Sequence, residues 1–245
     1  MSEWCVPEGE PSLGLEEAHV WRLSLALPDR VQRMEQLLDE EERIRAGRFR
    51  FEKDRRRYTL TRGMLRTLLG RYLRCDPIAL RISYSTRGKP FVDAPQNSPD
   101  VRFNVSHAGD LALLAFCRER EIGVDVESRQ RLKDWQPIAE RIFSRSEKRE
   151  LSSLPPSLRT AAFYNGWTRK EAYLKATGEG LVDGLSEIEV AVSPLAPASL
   201  RAIHGDTEPA SKWWLCALEP AEDYAAALVI QEKKARVRLW RADGA

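Results

Sequence analysis

Apolar positions along the chain recur at two different periods, and the switches between them mark the elements. In HVWRLSLAL (19–27) the alternation puts Trp21, Leu23 and Leu25 on one face, which predicts a strand. In VQRMEQLLDEEERIRAG, Val31, Met34, Leu37, Leu38 and Ile44 repeat at roughly helical spacing, so one helix is expected over 31–47. EKDRRRYTLTRGMLRTLLGRYL reads as a second helix, with Tyr58, Leu65, Leu68, Leu69 and Tyr72 inward and arginines outward. GKPFVDAPQNSPD (88–100) breaks the pattern and is expected as a loop or a short edge element. RFNVSHAGDLALLAFCREREIGVDVE then predicts up to three short strands, with turns at Ala108–Asp110 and Arg118–Glu121.

The second half opens with two helical stretches, WQPIAERIF and FSRSEKRELSSL. A longer helix is expected from Leu158 to Thr177, stopped by Gly178 and Gly180. Strands SEIEVAV, WWLCAL and YAAALVI follow, separated by a Pro/Ala/Ser-rich connection from Ser193 to Ser211. Each half carries helices plus strands at hairpin spacing, which predicts an α+β fold of two lobes, 1–120 and 121–245, rather than a βαβ succession.

The 245 residues suffice to bury a core in each lobe. Bulk charge is close to balanced, 39 Lys and Arg against 37 Asp and Glu, with no long basic block, so no nucleic-acid partner is expected. Cys5, Cys75, Cys117 and Cys216 stand far apart with no metal-binding spacing, as reduced thiols of a cytoplasmic protein would. No apolar run is long enough to cross a membrane, and no export signal is expected.

Candidate chemistry concentrates in three stretches. In IGVDVE (122–127), Asp125 and Glu127 share one face of a strand while Val124 and Val126 take the other. Two unpaired acids so placed repel each other; either the strand emerges into solvent there, or a divalent cation such as Mg²⁺ joins them. In WTRKEAYLKATGEGL (167–181), Glu171 and Lys175 lie four apart on one helical face, either as a surface pair or as a third metal ligand with a phosphate-directed lysine. In FNVSHAGD (103–110), Ser106 and His107 precede a Gly-containing turn, where hydroxyl, imidazole and backbone N–H groups can point at one anion.

The order and spacing of these three stretches resemble the 4'-phosphopantetheinyl transferase superfamily, in its large, monomeric, broad-specificity class. The resemblance implies two pseudo-equivalent α/β lobes with the active site at their interface. It also implies Mg²⁺-dependent transfer of phosphopantetheine from coenzyme A to a serine of an apo acyl or peptidyl carrier protein, with release of adenosine 3',5'-bisphosphate. On this pattern Asp125, Glu127 and Glu171 match the metal ligands, Lys175 a lysine acting at the phosphates, and Ser106 and His107 the holders of the adenosine 3'-phosphate. Arg48, Arg62 and Lys89 correspond to cofactor contacts.

Glu147 in FSRSEKRE matches a glutamate expected to take the serine proton, although Ser144 and Glu147 also form the pattern of a helix-capping box. A metal-bound water is the rival base. The same carboxylates would also suit a metal-dependent phosphodiesterase, and a non-catalytic protein that binds CoA or a carrier is the non-enzyme alternative.

Overall fold

A computed structural model describes residues 3–93, 99–132, 134–179 and 184–242. The first strand, β1 (Glu17–Ser24), leads into two short helices, α1 (Val31–Glu35) and α2 (Glu40–Gly47), where one helix was expected. The break lies at Asp39, whose extended backbone and side chain start α2. Its carboxylate accepts from the Glu42 N–H, and the Glu42 carboxylate accepts from the Asp39 N–H. The next helix, α3 (Glu52–Leu73), has the expected bounds and ends at Arg74 in the left-handed region, φ 53°.

A hairpin of β2 (Arg81–Tyr84) and β3 (Pro90–Asp93) follows, so the turn-rich stretch begins as a strand; its residues 94–98 lie outside the described residues. The three expected strands are β4 (Val101–Ala108), β5 (Leu111–Arg118) and β6 (Ile122–Ser128). Helices α4 (Gln136–Ile142), α5 (Arg145–Ser153) and α6 (Pro156–Thr177) come next. Gly178 stops α6 with φ 73°, whereas Gly180, the other expected stop, lies outside the described residues.

The remaining elements are β7 (Ile188–Val190), β8 (Leu200–Ile203), α7 (Thr207–Ala210), β9 (Trp214–Leu218), β10 (Tyr224–Ile230) and β11 (Arg236–Arg241). Of these, β8 and α7 fall within the stretch expected to be a plain connection, where β8 pairs with β7.

Two sheets, in the orders β11-β1-β5-β4 and β6-β10-β9, stack between helices. The long helix α3 covers one face of the first sheet, packing Leu60, Met64, Leu65 and Leu68 on Trp21, Leu23, Phe103, Leu114 and Phe116. The other face of that sheet, with Val20, Leu113 and Ala115, meets Val124, Val126, Ala226 and Leu228 of the second. Helices α4 to α6 close the far side over Ala225, Ala227 and Val229. Each half is thus one sheet under one helix of 22 residues, and the two similar α/β halves pack back to back.

The division at 120/121 assigns β11 to the second lobe, whereas β11 pairs in parallel with β1, from Glu17 opposite Arg236 to Arg22 opposite Arg241. The first sheet therefore takes one edge strand from the far end of the chain. Among the described residues no helix is long and apolar enough to cross a membrane.

Candidate active site at the lobe junction

The two lobes meet where β4 runs beside β6 without a backbone ladder. Asn104 and Ser106, two apart on β4, replace it: Asn104 Oδ1 accepts from the Val124 N–H at 2.9 Å and Ser106 Oγ from the Val126 N–H at 3.3 Å. Ser106, expected as a phosphate contact, thereby also fixes the strand that carries the acids. Asn104 was not singled out in the sequence, although its alternation with Ser106 places both on one face.

On β6, Ile122, Val124 and Val126 enter the core between the sheets, so Gly123, Asp125 and Glu127 face α6. The absence of a side chain at Gly123 lets α6 approach the strand at backbone contact. Glu171 and Lys175, on adjacent turns of α6, consequently stand over Asp125.

Lys175 Nζ lies 2.6 Å from Asp125 Oδ1 and donates to Ser106 Oγ at 2.9 Å, while the Ser106 hydroxyl donates to the same carboxylate oxygen at 2.9 Å. Asp125 is 4% exposed, and its Oδ2 is buried with no hydrogen-bond partner. Glu127 pairs with Arg131 through contacts of 2.9 and 3.0 Å. Burial pushes the Glu171 carboxyl up to about 7, with the negative charges of Asp125 and Glu127 adding to the effect and Lys175 opposing it. Glu127 is also raised, chiefly by burial, against its bond to Arg131.

The three acids thus feel one another in a partly dry junction with too little counter-charge. Among the described residues no three potential ligand side chains converge closely enough to hold an ion in this arrangement. The hard oxygen donors, the orphaned Asp125 Oδ2 and the mutual repulsion nevertheless fit a divalent cation. Lys175 lies on the other oxygen of that carboxylate, Oδ1.

His107 projects at the end of β4. Desolvation holds its imidazole below the usual histidine range, aided by the positive charges of Lys175 and Arg57. Arg57, also not foreseen, is anchored to Asp110 at 2.9 and 3.2 Å, so a cationic group borders the same turn.

Lys89 lies against the end of α6, where its ammonium donates to the Ala176 carbonyl at 2.5 Å and pairs with Glu121. It lines a cleft of about 310 Å³ together with Asn104, Glu171, Lys175 and Gly178. Arg48 and Arg62 instead line a larger cavity of about 700 Å³ beside α2 and α3, with Arg45, Tyr58 and Tyr84. Arg62 is held there by Glu42 at 2.6 Å and by the Tyr84 hydroxyl at 2.6 Å, and the buried Tyr58 hydroxyl has no hydrogen-bond partner.

Glu147 does not join this group. Its carboxylate is fully buried in the second lobe, 2.7 Å from Lys170 Nζ, and accepts from the backbone N–H of Ser144 at 2.7 Å and of Val190 at 2.8 Å. Lys170 in turn donates to the Ile142 and Leu185 carbonyls. Every contact of the Glu147 carboxylate in this structure is internal, as its capping-box place predicts.

Both halves of the chain match known protein families. The family model described as the 4'-phosphopantetheinyl transferase superfamily matches residues 121–229, and one described as 4'-phosphopantetheinyl transferase, N-terminal, matches residues 26–119. The 4'-phosphopantetheinyl transferase HetI of Nostoc sp. is 38% identical over 233 residues, covering 94% of this chain and 95% of that protein. The 4'-phosphopantetheinyl transferase Sfp of Bacillus subtilis is 28% identical over 201 residues, covering 77% of this chain and 86% of its own length. Among solved structures, a holo-(acyl-carrier-protein) synthase from Bacillus anthracis in complex with CoA (3',5'-ADP) matches 46% of this chain and 96% of its own, with 25% identity and a TM-score of 0.38. By its two matched halves and its near full-length likeness to such a relative, the chain belongs to the 4'-phosphopantetheinyl transferase superfamily.

Proposed function

We propose that this protein transfers the 4'-phosphopantetheine group of coenzyme A to a serine hydroxyl of an apo acyl or peptidyl carrier protein. The serine oxygen forms a bond to the phosphorus bearing pantetheine, the bridging P–O bond to the second phosphate breaks, and adenosine 3',5'-bisphosphate leaves as the serine proton is lost. The single observation that carries this reading is the contact of Lys175, Asp125 and Ser106 across the lobe seam, with Glu127 and Glu171 beside it.

Asp125, Glu127 and Glu171 would hold Mg²⁺, which when bound supplies neutralisation of the charge that builds on the diphosphate. Lys175 is placed to hold a phosphate oxygen and to stabilise the leaving bisphosphate. Ser106 and His107, bordered by Arg57, form the end of the junction that suits the 3'-phosphate. Lys89 flanks the path to the carboxylates. Arg48 and Arg62 line the cavity beside α2 and α3, together with Asp39, Glu41 and Glu42, and would contact the nucleotide end of CoA there. The half-on-half architecture and the separate N-terminal match support placement in the large, broad-specificity class of the family.

The test combines the protein with CoA, Mg²⁺ and a panel of apo carriers from fatty-acid, peptide and polyketide assembly, reading intact carrier mass and bisphosphate release. The expected result is a gain of one phosphopantetheinyl group, lost with EDTA and with serine-to-alanine carriers. Bisphosphate release without a carrier would point to hydrolysis of the CoA diphosphate by water instead.

A further inference from the structure

Lys175 is the cation bonded to Asp125, whose Oδ2 has no partner, and its position sets two demands against each other. Its ammonium sits 2.6 Å from Asp125 Oδ1 and 2.9 Å from Ser106 Oγ, inside a group of three acids. A divalent ion on Asp125 would face that ammonium at contact distance, a repulsion that is severe in a partly buried junction. A diphosphate held by the lysine would, conversely, draw the ammonium off Asp125 Oδ1, leaving that oxygen to the Ser106 hydroxyl alone beside the unpartnered Oδ2. The side chain is 30% exposed, on a flexible stem that can swing between the two anions. Ser106 stays on Asp125 and on the Val126 N–H in either state, so the strand need not move.

We propose that Lys175 is a positioning residue for the metal: its ammonium on Asp125 Oδ1 keeps the ion off that carboxylate until the diphosphate of CoA draws it away. The inference rests on the transferase reading above. Metal and CoA therefore enter as a coupled pair, each raising the other's affinity by the same factor. The lysine is never left without an anion, and Asp125 is never left without a cation, through the whole exchange.

The test uses Mn²⁺ as the probe, since it shares the oxygen preference of Mg²⁺. Free Mn²⁺ is read by electron paramagnetic resonance, with and without CoA, in about 0.5 M KCl, where screening over a few ångströms removes long-range charge effects. Relative to the wild type, Lys175→Met is expected to bind Mn²⁺ about tenfold tighter in the absence of CoA and to lose most of the enhancement that CoA produces. Lys175→Arg, which keeps the charge, is expected to behave as the wild type. Equal or weaker Mn²⁺ binding by Lys175→Met overturns the inference. Asp125→Asn separates the two levels: Mn²⁺ binding unchanged in that variant would overturn the metal reading itself, whereas its loss there leaves Lys175 as the only point at issue.

Discussion

Gly123 and Ala172 are in backbone contact: a methyl group on Gly123 would stand 2.0 Å from the Ala172 carbonyl oxygen and 2.4 Å from the Ala176 amide nitrogen. This approach sets the spacing between the acids of β6 and Glu171 and Lys175 of α6. Neither obstacle can rotate away, because both belong to the helix backbone. Gly123→Ala is expected to lower stability by about 1–3 kcal/mol or more, seen as a lower urea midpoint. Turnover should fall further than the unfolded fraction explains, because the helix must lift off the strand.

The buried pair of Glu147 and Lys170 gives a second expectation. Glu147→Gln alone leaves the Lys170 ammonium without a counter-charge and is expected to cost about 3–5 kcal/mol of stability. Glu147→Gln combined with Lys170→Gln removes both charges together, although one carboxylate oxygen that accepts a backbone N–H becomes an NH2 group. That double variant should regain part of the stability and turn over within about tenfold of the wild type. A folded double variant slowed by about 10²–10⁴, the usual contribution of a general base, would support the catalytic role.

Much of this site could be read from the sequence because its signals are local. The two-residue alternation of IGVDVE and the four-residue spacing of Glu171 and Lys175 each fix a face before any partner is known. Glu147 left two readings open, because a capping box and a catalytic acid present the same residue. What separates them is burial against Val190, 43 positions downstream. Arg62 likewise depends on Glu42, from another helix. The strand β11 escaped notice because RVRLWR alternates arginines with apolar residues and its partner lies at the opposite end of the chain.

Glu42 anchors a further network. It is 5% exposed and accepts from Arg62 Nε and Arg66 Nε, both at 2.6 Å, while the fully buried Arg66 also pairs with Asp39 and donates to the Pro77 and Leu80 carbonyls. Glu42→Gln is expected to destabilise the first lobe by about 3–5 kcal/mol, measured by urea unfolding. KM for CoA should rise more than kcat falls, since Arg62 would lose the partner that aims it into the cavity.

His19 makes the first lobe sensitive to acid. It is 2% exposed, its Nδ1 sits 2.8 Å from the Tyr72 hydroxyl, and burial lowers its pKa to about 4, against the opposing pull of Glu17. The unfolded chain takes up the proton first, near the ordinary value of about 6.5. The contribution of neutral His19 is therefore complete above that value and is lost as pH falls toward 4, to a total on the order of 3 kcal/mol. Unfolding midpoints of wild type and His19→Gln, compared between pH 7 and about 4, should converge on acidification. A constant gap would reject the assignment.

The parallel pairing of β11 with β1 also orders events during synthesis. A nascent chain that has emerged only through β6 owns α3 and three of the four strands of the first sheet but not the strand that covers the outer edge of β1. That edge stays open to other chains until β11 has been made, so the first sheet is completed only after the elements between β6 and β11 have been synthesised.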